Sequence, residues 1–208
     1  LARINSNGSL DTTFGVNGKV VTDLLVSYST IIKDMLIEPD GKIIVSGFYS
    51  FEVDSRFCMV RYNPNGTMDT TFGTNGLTVD TNYYTSYFSN ISRQIDGKIV
   101  TAGNTFGQDF IISRYNNNGT IDTTFGTNGY VNAIPDVGGG SVTVLVQPDN
   151  KIVAVGGSIL DNNDGNQQGC LAIVRLNPGT LSAGEFEEEE VVVYPNPTVG
   201  DFTLNLPS

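Results

Sequence analysis

Short apolar runs alternate with turn-forming residues along most of the 208-residue chain. In the first part of the chain these runs cover roughly residues 18–24, 31–37, 42–47 and 57–63. They are rich in β-branched residues, which suit a pleated, half-buried strand. Asp40-Gly41 between two runs indicates a hairpin, because Gly accepts the positive φ of a tight turn. No segment keeps a 3.6-residue period with caps. The pattern predicts four short strands per unit and little or no helix.

One phrase, DTTFG, occurs three times, at residues 11–15, 69–73 and 122–126. An Arg-x-Asn motif and an Asn-Gly turn precede each copy, and Arg-x-Asn returns once more at Arg175. Self-similarity at such a period is typical of repeat architectures. The chain therefore divides into three full units, with one leading strand from a fourth. The units cover about 6–63, 64–116 and 117–177.

We interpret DTTFG as a packing device. Its Asp and Thr side chains can bond nearby backbone amides in a turn, and its Gly would let the chain reverse. Its aromatic ring would lie in the seam between neighbouring sheets, because a repeat must rebuild its neighbour contact in every copy. The rings are Phe14, Phe72 and Phe125. A second reading stays open, in which three identical Asp-Thr-Thr loops present a repeated ligand or glycan-attachment surface.

Repeated four-stranded units predict an all-β, β-propeller-type fold. RYNPNGTMDTTFGTNG, with QPDNKIVAVGG-type strands, resembles the delta-60 repeat family of bacterial surface and secreted proteins over residues 1 to about 177. The resemblance implies a propeller-like repeat domain and brings no common catalytic residues. Closed propellers generally use four to eight blades. We therefore expect three full units in an open or partial arc, as part of a longer array.

The second unit departs from the others and contains the candidate binding residues. Arg93 and Ile95 stand where the first unit has Ile37 and Pro39. The nearby stretch NYYTSYF is dense in aromatic residues, which can stack on sugars or on partner side chains. The candidates for a glycan or protein ligand are Tyr83, Tyr84, Tyr87 and Arg93. The alternative is that alternate rings fill the seam between blades.

The character of the chain changes after Asn177. Residues 178–190 form an acidic, Gly/Ser-containing linker, and VVVYPNPTVGDFTLNLPS follows at 191–208. YPNP, Gly200 and FTLNL resemble the start of the C-terminal sorting domain of the type IX secretion system. That resemblance implies the secretion machinery as a partner and a secreted or outer-cell-surface location; an ordinary terminal hairpin is the alternative. Because the chain opens on LARIN and stops at Ser208, we expect a fragment with a truncated sorting domain.

Composition narrows the function classes. With 22 acidic residues against 11 basic ones the net charge is −11, whereas a nucleic-acid binder needs a basic face. No apolar run approaches the length of a membrane helix, so no transmembrane segment is expected. The chain has no His and only two Cys, a poor donor set for a metal. A calcium-type loop at 161–166 lacks the EF-hand register, and neither a metal nor a cofactor is predicted.

For catalysis only carboxylates remain as obvious candidates. A glycosidase needs two of them at a set separation, but the acids within the units mostly occupy turns, as Asp40, Asp96 and Asp149 do. We therefore expect no enzymatic activity and predict a non-catalytic binding, adhesion or scaffold module. The alternative is the accessory propeller region of a larger exported hydrolase.

Overall fold

The computed structural model describes residues 1–23, 29–51, 54–82, 85–105, 110–134, 142–161 and 167–177. Within these ranges the chain forms β-strands and no helix, which confirms the all-β class. No helix that could cross a bilayer is therefore found in the described part of the chain. The strands are β1 Ser29–Ile37, β2 Ile43–Phe51, β3 Asp54–Tyr62, β4 Leu77–Val79, β5 Thr85–Arg93, β6 Ile99–Thr105, β7 Phe110–Tyr115, β8 Tyr130–Ile134, β9 Val142–Val146, β10 Ile152–Asp161 and β11 Gln167–Leu176.

The strands build three antiparallel sheets, which we call blade 1 (β1–β4), blade 2 (β5–β8) and blade 3 (β9–β11). Each sheet runs in chain order from its first strand outward. The first strands lie side by side, β1 against β5 and β5 against β9. Within the described residues the blades form an open series and not a closed ring, as the sequence predicts.

The strand that we placed first in each unit belongs to the preceding sheet. In the structure Lys19 bridges Ala2, and the Val20 amide donates to the Leu1 carbonyl at 2.9 Å. Blade 1 takes its fourth strand, β4, from the residues that follow the second DTTFG. DTTFG thus turns the chain between the third and fourth strands of one sheet. The apolar pattern locates a strand but does not specify its partner, and this assignment was wrong for that reason. Residues 1–23, which we call the N-terminal segment, pair with each other through isolated bridges and lie against blade 1, where Val20 contacts the cluster of Val45, Val60 and Tyr62.

Two apolar clusters fill the seams between blades. Between blades 1 and 2 the cluster consists of Ile44, Phe57, Met59, Phe72, Ile91, Ile99 and Tyr115. Between blades 2 and 3 it consists of Val100, Ala102, Phe110, Ile112, Phe125, Val131, Val144, Ile152 and Ala154. Phe72 and Phe125 are 0% exposed and Phe14 is 1% exposed. Burial of one such ring is worth about 1.5–3 kcal/mol. The DTTFG aromatic ring is therefore a seam residue, as predicted.

The glycine that ends DTTFG is required by both backbone angle and space. Gly73 has φ 53, and its equivalents Gly15 and Gly126 have φ 55 and 52. A Cβ at Gly73 would lie 2.3 Å from the carbonyl oxygen of Leu77, closer than real Cβ contacts allow. Since the neighbouring atom is backbone, only a shift of the turn would relieve the clash.

A matched pair of substitutions separates backbone angle from space. Gly8 also has a positive φ, 86, but nothing lies within 4 Å of the position that a Cβ would occupy there. We expect Gly8→Ala to lower the free energy of unfolding by about 1–2 kcal/mol, the cost of a left-handed residue. Gly73→Ala should cost clearly more, because the turn must also move. Urea unfolding of the two variants measures both losses, and equal losses would contradict the steric argument.

Candidate functional site

Each DTTFG turn contains the same ion pair beneath an aromatic ring. Arg61 Nε donates to Asp69 Oδ2 at 2.8 Å, and the guanidinium carbon lies 4.6 Å from the centre of the Phe72 ring. The other carboxylate oxygen accepts from the amide and hydroxyl of Thr71, at 3.1 and 2.7 Å. The same ion pair joins Arg3 to Asp11 and Arg114 to Asp122, each at 2.7 Å. The Arg, Asp and Phe of the repeat thus hold one another in place.

The same turn also binds the next blade. Arg61 Nη1 donates to the carbonyl oxygen of Asn117 at 2.6 Å, and the Gly73 amide donates to that of Asn118 at 2.7 Å. A Cβ on Gly119 would lie 2.9 Å from the Phe72 ring. The Asn-Gly turn of one unit therefore packs on the ring of the preceding unit. The equivalent bonds one step earlier run from Arg3 to Pro64 at 2.6 Å and from Gly15 to Asn65 at 2.8 Å.

The buried carboxylates of this motif are held in the charged form. Burial alone would raise the pKa of Asp69, but hydrogen bonds from Thr71 and Lys42 and the charge of Arg61 outweigh it. The net result is a pKa well below the ordinary value. Lys42 Nζ lies 3.0 Å from Asp69 Oδ2, so the lysine after the Asp-Gly turn also belongs to the motif. Asp122 has the same arrangement, with Lys98 Nζ at 2.7 Å and a lowered pKa.

Arg93, one of the predicted binding residues, lies at the seam between blades 1 and 2. Its Nε is 3.8 Å from Glu38 Oε1, and its side chain is 23% exposed. Burial raises the pKa of Glu38, and the charges of Arg61 and Arg93 oppose that rise. At the next seam Gln94 takes the place of Glu38, and its amide donates to the Asn150 carbonyl at 3.3 Å. Arg93 and Glu38, which face each other across this seam, therefore both differ from the residues at the equivalent positions of the other units.

The structure describes no side chain for the other three predicted binding residues. Tyr83 and Tyr84 lie outside the described residues. The backbone of Tyr87 is part of β5 and pairs with Asn104, but its side chain also lies outside the described set. Most of the calcium-type loop, the acidic linker and the residues of the sorting-domain resemblance are likewise outside it. The aromatic recognition surface stays a prediction.

A second polar cluster, which was not predicted from the sequence, occurs at the seam between blades 1 and 2. Asp80 is 2% exposed. Its carboxylate accepts from the Tyr115 hydroxyl at 2.7 Å, and from the Tyr130 hydroxyl at 2.9 and 3.0 Å. The backbone amide of Asn82 donates to Asp80 Oδ1 at 2.9 Å, and the side-chain nitrogen Nδ2 of Asn82 donates to the Tyr130 hydroxyl at 2.9 Å. Burial and the nearby Asp80 charge raise the pKa of Tyr115 well above its ordinary value, so this phenol stays a neutral donor.

This cluster forms the floor of a cavity of about 310 Å³. Its volume falls at the lower end of the range for small-molecule sites. The groups at its rim are the exposed side chains of Thr81, Asn82 and Thr120. Among the described residues that line the cavity there are hydroxyls, an amide and one carboxylate, but no Lys or Arg. Such a lining suits a neutral, hydroxyl-rich ligand better than an anion.

The position of Asp80 differs in every unit. Thr22 occupies it between the N-terminal segment and blade 1 and bonds Tyr62 at 2.6 Å. Ala133 occupies it between blades 2 and 3 and packs against the apolar cluster there. Aligning the residues after each DTTFG reveals this variable position, which is the signal that could have found the site. Asn82 is also the first residue of NYYTSYF, so the cavity adjoins the stretch that the sequence singles out.

Stacked antiparallel sheets, joined through one repeated turn, define the chain as a β-propeller repeat protein. A family model described as "Domain of unknown function (DUF5122) beta-propeller" matches residues 1–14, 38–72, 94–125 and 147–179. These segments make up more than half of the chain, and the chain belongs to this family. A search of curated proteins found no match. Two of the matched segments run from Glu38 to Phe72 and from Gln94 to Phe125, and they include the residues of the seam contacts.

Acid unfolding tests the ion pair of the repeat. The pKa of Asp69 is lower in the folded protein than in the unfolded chain, so its contribution to stability is fully present above the unfolded pKa, about 4. That contribution is lost as the pH falls below this value toward the folded pKa. We expect Asp69→Asn to lower the free energy of unfolding at pH 7 by about 3 kcal/mol. The variant should also flatten the loss of stability with acid, as measured by urea unfolding across the acidic range.

Asp40→Asn is the matched control, because Asp40 also contacts Lys42, at 3.8 Å, but has a side chain that is 58% exposed. An exposed pair of this kind contributes about 0–1 kcal/mol. If Asp69→Asn and Asp40→Asn lost the same stability at pH 7, the buried ion pair would not be what holds the seam.

Proposed function

We propose that this chain is a non-catalytic recognition module of a secreted or cell-surface protein. The Asp80 cavity and the adjoining NYYTSYF stretch form its binding surface, and the ligand is a glycan. The observation that carries the proposal is the departure from the repeat at one seam. Cavities also lie between the N-terminal segment and blade 1, but none of the described residues that line them is a carboxylate. Only the cavity between blades 1 and 2 has, among its described lining residues, a buried carboxylate held by two tyrosine hydroxyls.

The cavity chemistry favours a sugar. A sugar offers neutral hydroxyl groups, and the rim provides hydroxyls at Thr81 and Thr120 and an amide at Asn82. The Tyr130 hydroxyl accepts from Asn82 Nδ2 and so orients the Asn82 side chain, while Asp80 accepts from the Asn82 backbone amide. The tyrosines that follow in sequence can provide the aromatic face on which sugar rings stack. Sites of this kind combine apolar faces with a few placed polar groups.

The arrangement of carboxylates supports a non-catalytic role. Hydrolysis of a glycoside needs an acid and a second carboxylate about 5–10 Å away. Asp80 is the single carboxyl group among the described residues that line the cavity. The carboxylates of Asp69 and Asp122 are committed to their Arg and Lys partners. The hydrolase-accessory alternative places catalysis elsewhere in a larger protein and leaves this binding role unchanged.

The export part of the proposal depends on the tail. YPNP, Gly200 and FTLNL at 191–208 resemble the start of a type IX sorting domain, and an acidic linker precedes them. We propose that this tail directs the protein through the type IX machinery to the cell surface or the medium. A surface location also fits a module that recognises glycans.

A glycan array on the full chain, followed by thermal melting with each hit, tests the ligand. A ligand that binds only the folded state raises the melting temperature by mass action. We expect Asn82→Ala to weaken binding of a hit at least about tenfold, or about 1.4 kcal/mol. Asn65→Ala is the control, because Asn65 is an exposed turn residue whose side chain bonds Thr67 and which is not among the described residues that line the Asp80 cavity. Loss of binding in both variants, or no hit on the array, would argue against the glycan site.

Cell fractionation tests the location. An antibody raised against the repeats should stain intact cells of the producing organism or detect the protein in its medium. Disruption of the type IX machinery should retain the protein inside the cell. Detection in the cytoplasm of unperturbed cells alone would contradict export and leave the cavity proposal standing.

A further inference from the structure

The repeated contacts between blades do not distinguish one neighbour from another. Arg61 and Gly73 reach blade 2 through hydrogen bonds to backbone carbonyl groups of its Asn-Gly turn. One step earlier, Arg3 of the N-terminal segment bonds the same turn of blade 1 in the same way. Since every copy of the turn has these carbonyl groups, the bonds fit any blade of the repeat. Residues that differ between the units must therefore decide which blades dock on each other.

Two buried carboxylates of blade 1 differ from the residues at the same positions of blade 2. Each blade has a trailing face, turned toward the next blade along the chain, and a leading face, turned toward the preceding one. The trailing face of blade 1 includes Glu38 and Asp80, which are 5% and 2% exposed. We propose that these carboxylates select the neighbour of blade 1, because they stabilise docking of the leading face of blade 2 and destabilise docking of that of blade 3. The inference does not depend on the ligand proposed for the Asp80 cavity.

Glu38 has basic partners on both sides of the seam. Arg61 Nη1 of its own blade lies 3.5 Å from Glu38 Oε2, and Arg93 Nε of blade 2 lies 3.8 Å from Oε1. The residue of blade 3 at the position of Arg93 is Val146, which packs against the apolar cluster between blades 2 and 3. Docking of blade 3 on blade 1 would therefore leave this buried carboxylate with one basic partner instead of two.

Asp80 takes its phenolic donors from blade 2. The Tyr115 hydroxyl donates to Asp80 Oδ2 at 2.7 Å, and the Tyr130 hydroxyl also donates to the carboxylate. Blade 3 has Leu176 at the position of Tyr115, and this side chain packs against the apolar cluster of its own seam. A leucine offers no donor, so docking of blade 3 on blade 1 would remove a hydrogen bond from a carboxylate that stays buried. An acceptor left unsatisfied in this way carries its full desolvation penalty.

The trailing face of blade 2 is neutral at the same two positions, which are occupied by Gln94 and Ala133. The Gln94 side chain donates to the backbone carbonyl of Asn150 in blade 3 at 3.3 Å, and Ala133 packs against the apolar cluster. Neither residue needs a charged or phenolic partner. The chain therefore places carboxylates and their donors at the seam between blades 1 and 2, and neutral residues at the corresponding positions between blades 2 and 3.

The selection works mainly by penalising the wrong order of blades. Misassembly between similar units is a characteristic failure of repeat proteins during folding. Specificity is the difference in free energy between the correct and the wrong contact. Removal of one partner from a buried charge destabilises strongly, because the charge stays buried without compensation. Glu38 and Asp80 both have this property, so two separate groups oppose docking of blade 3 on blade 1.

A substitution cycle in the full chain, measured by urea unfolding, tests the pairing. Arg93→Val and Tyr115→Leu give blade 2 the two residues that blade 3 carries, and together they should lower the folding equilibrium constant at least about tenfold. Glu38→Gln and Asp80→Ala give blade 1 the residues that blade 2 carries on its trailing face. All four substitutions together should recover most of the loss, because no carboxylate is then left without its partners. Losses that add without recovery would overturn the proposal.

Refolding of the fourfold variant separates selection of the neighbour from stability. Because its first seam no longer differs from the next at these positions, dilution from urea should give an added slow phase and a lower yield of native protein than wild type. Gly8→Ala is the control, since Gly8 lies in an exposed turn outside this seam and its substitution lowers stability alone. The control should keep the refolding phases of wild type. If the fourfold variant did so as well, the four residues would only stabilise a contact, and the selection would be overturned.

Discussion

One arrangement recurs in all three described DTTFG repeats, an arginine held between an aspartate and an aromatic ring. A buried ion pair stabilises only if hydrogen bonds satisfy the remaining polar atoms. Here Thr71 and Lys42 complete the shell of Asp69, and Arg61 uses a second nitrogen to bind the next blade. The same guanidinium therefore fixes its own turn, covers the Phe72 ring and joins two blades. This is why Arg, Asp and Phe recur together, and why the Asp-Gly-Lys hairpin recurs with them.

Departures from the repeat occur in compensating sets. Between blades 1 and 2 the acidic Glu38 faces the basic Arg93. Between blades 2 and 3 the neutral Gln94 bonds the backbone carbonyl of Asn150. Asp80 occurs only where Tyr115 and Tyr130 can both donate to it, whereas Ala133 stands where the neighbouring residue is Leu176. The residues at one seam can therefore differ from the repeat while the Arg–Asp–Phe arrangement is kept, and the Asp80 cavity is one such difference.

The exposure of apolar side chains on blades 1 and 3 also follows from the repeat architecture. Each blade has two apolar faces because it is built to have a neighbour on both sides, and repeat proteins gain much of their stability from such neighbour contacts. Met35 and Leu145 lie on the sides of blades 1 and 3 that are turned away from blade 2, and their side chains are 53% and 63% exposed in this structure.

The sequence by itself determined the class of fold, the repeated turn and the buried ring of each DTTFG, because those depend on local spacing and on glycine at positive φ. It did not determine which sheet the strand at residues 18–24 joins, since an apolar run satisfies either neighbour equally well. The candidate site, too, was only partly predictable from the sequence. Arg93 stands out as a break in the pattern, but its pairing with Glu38 appears only when two blades are packed. Asp80, Tyr115 and Tyr130 lie far apart along the chain, and only the tertiary structure brings them together, because a buried carboxylate needs donors that no single strand can provide.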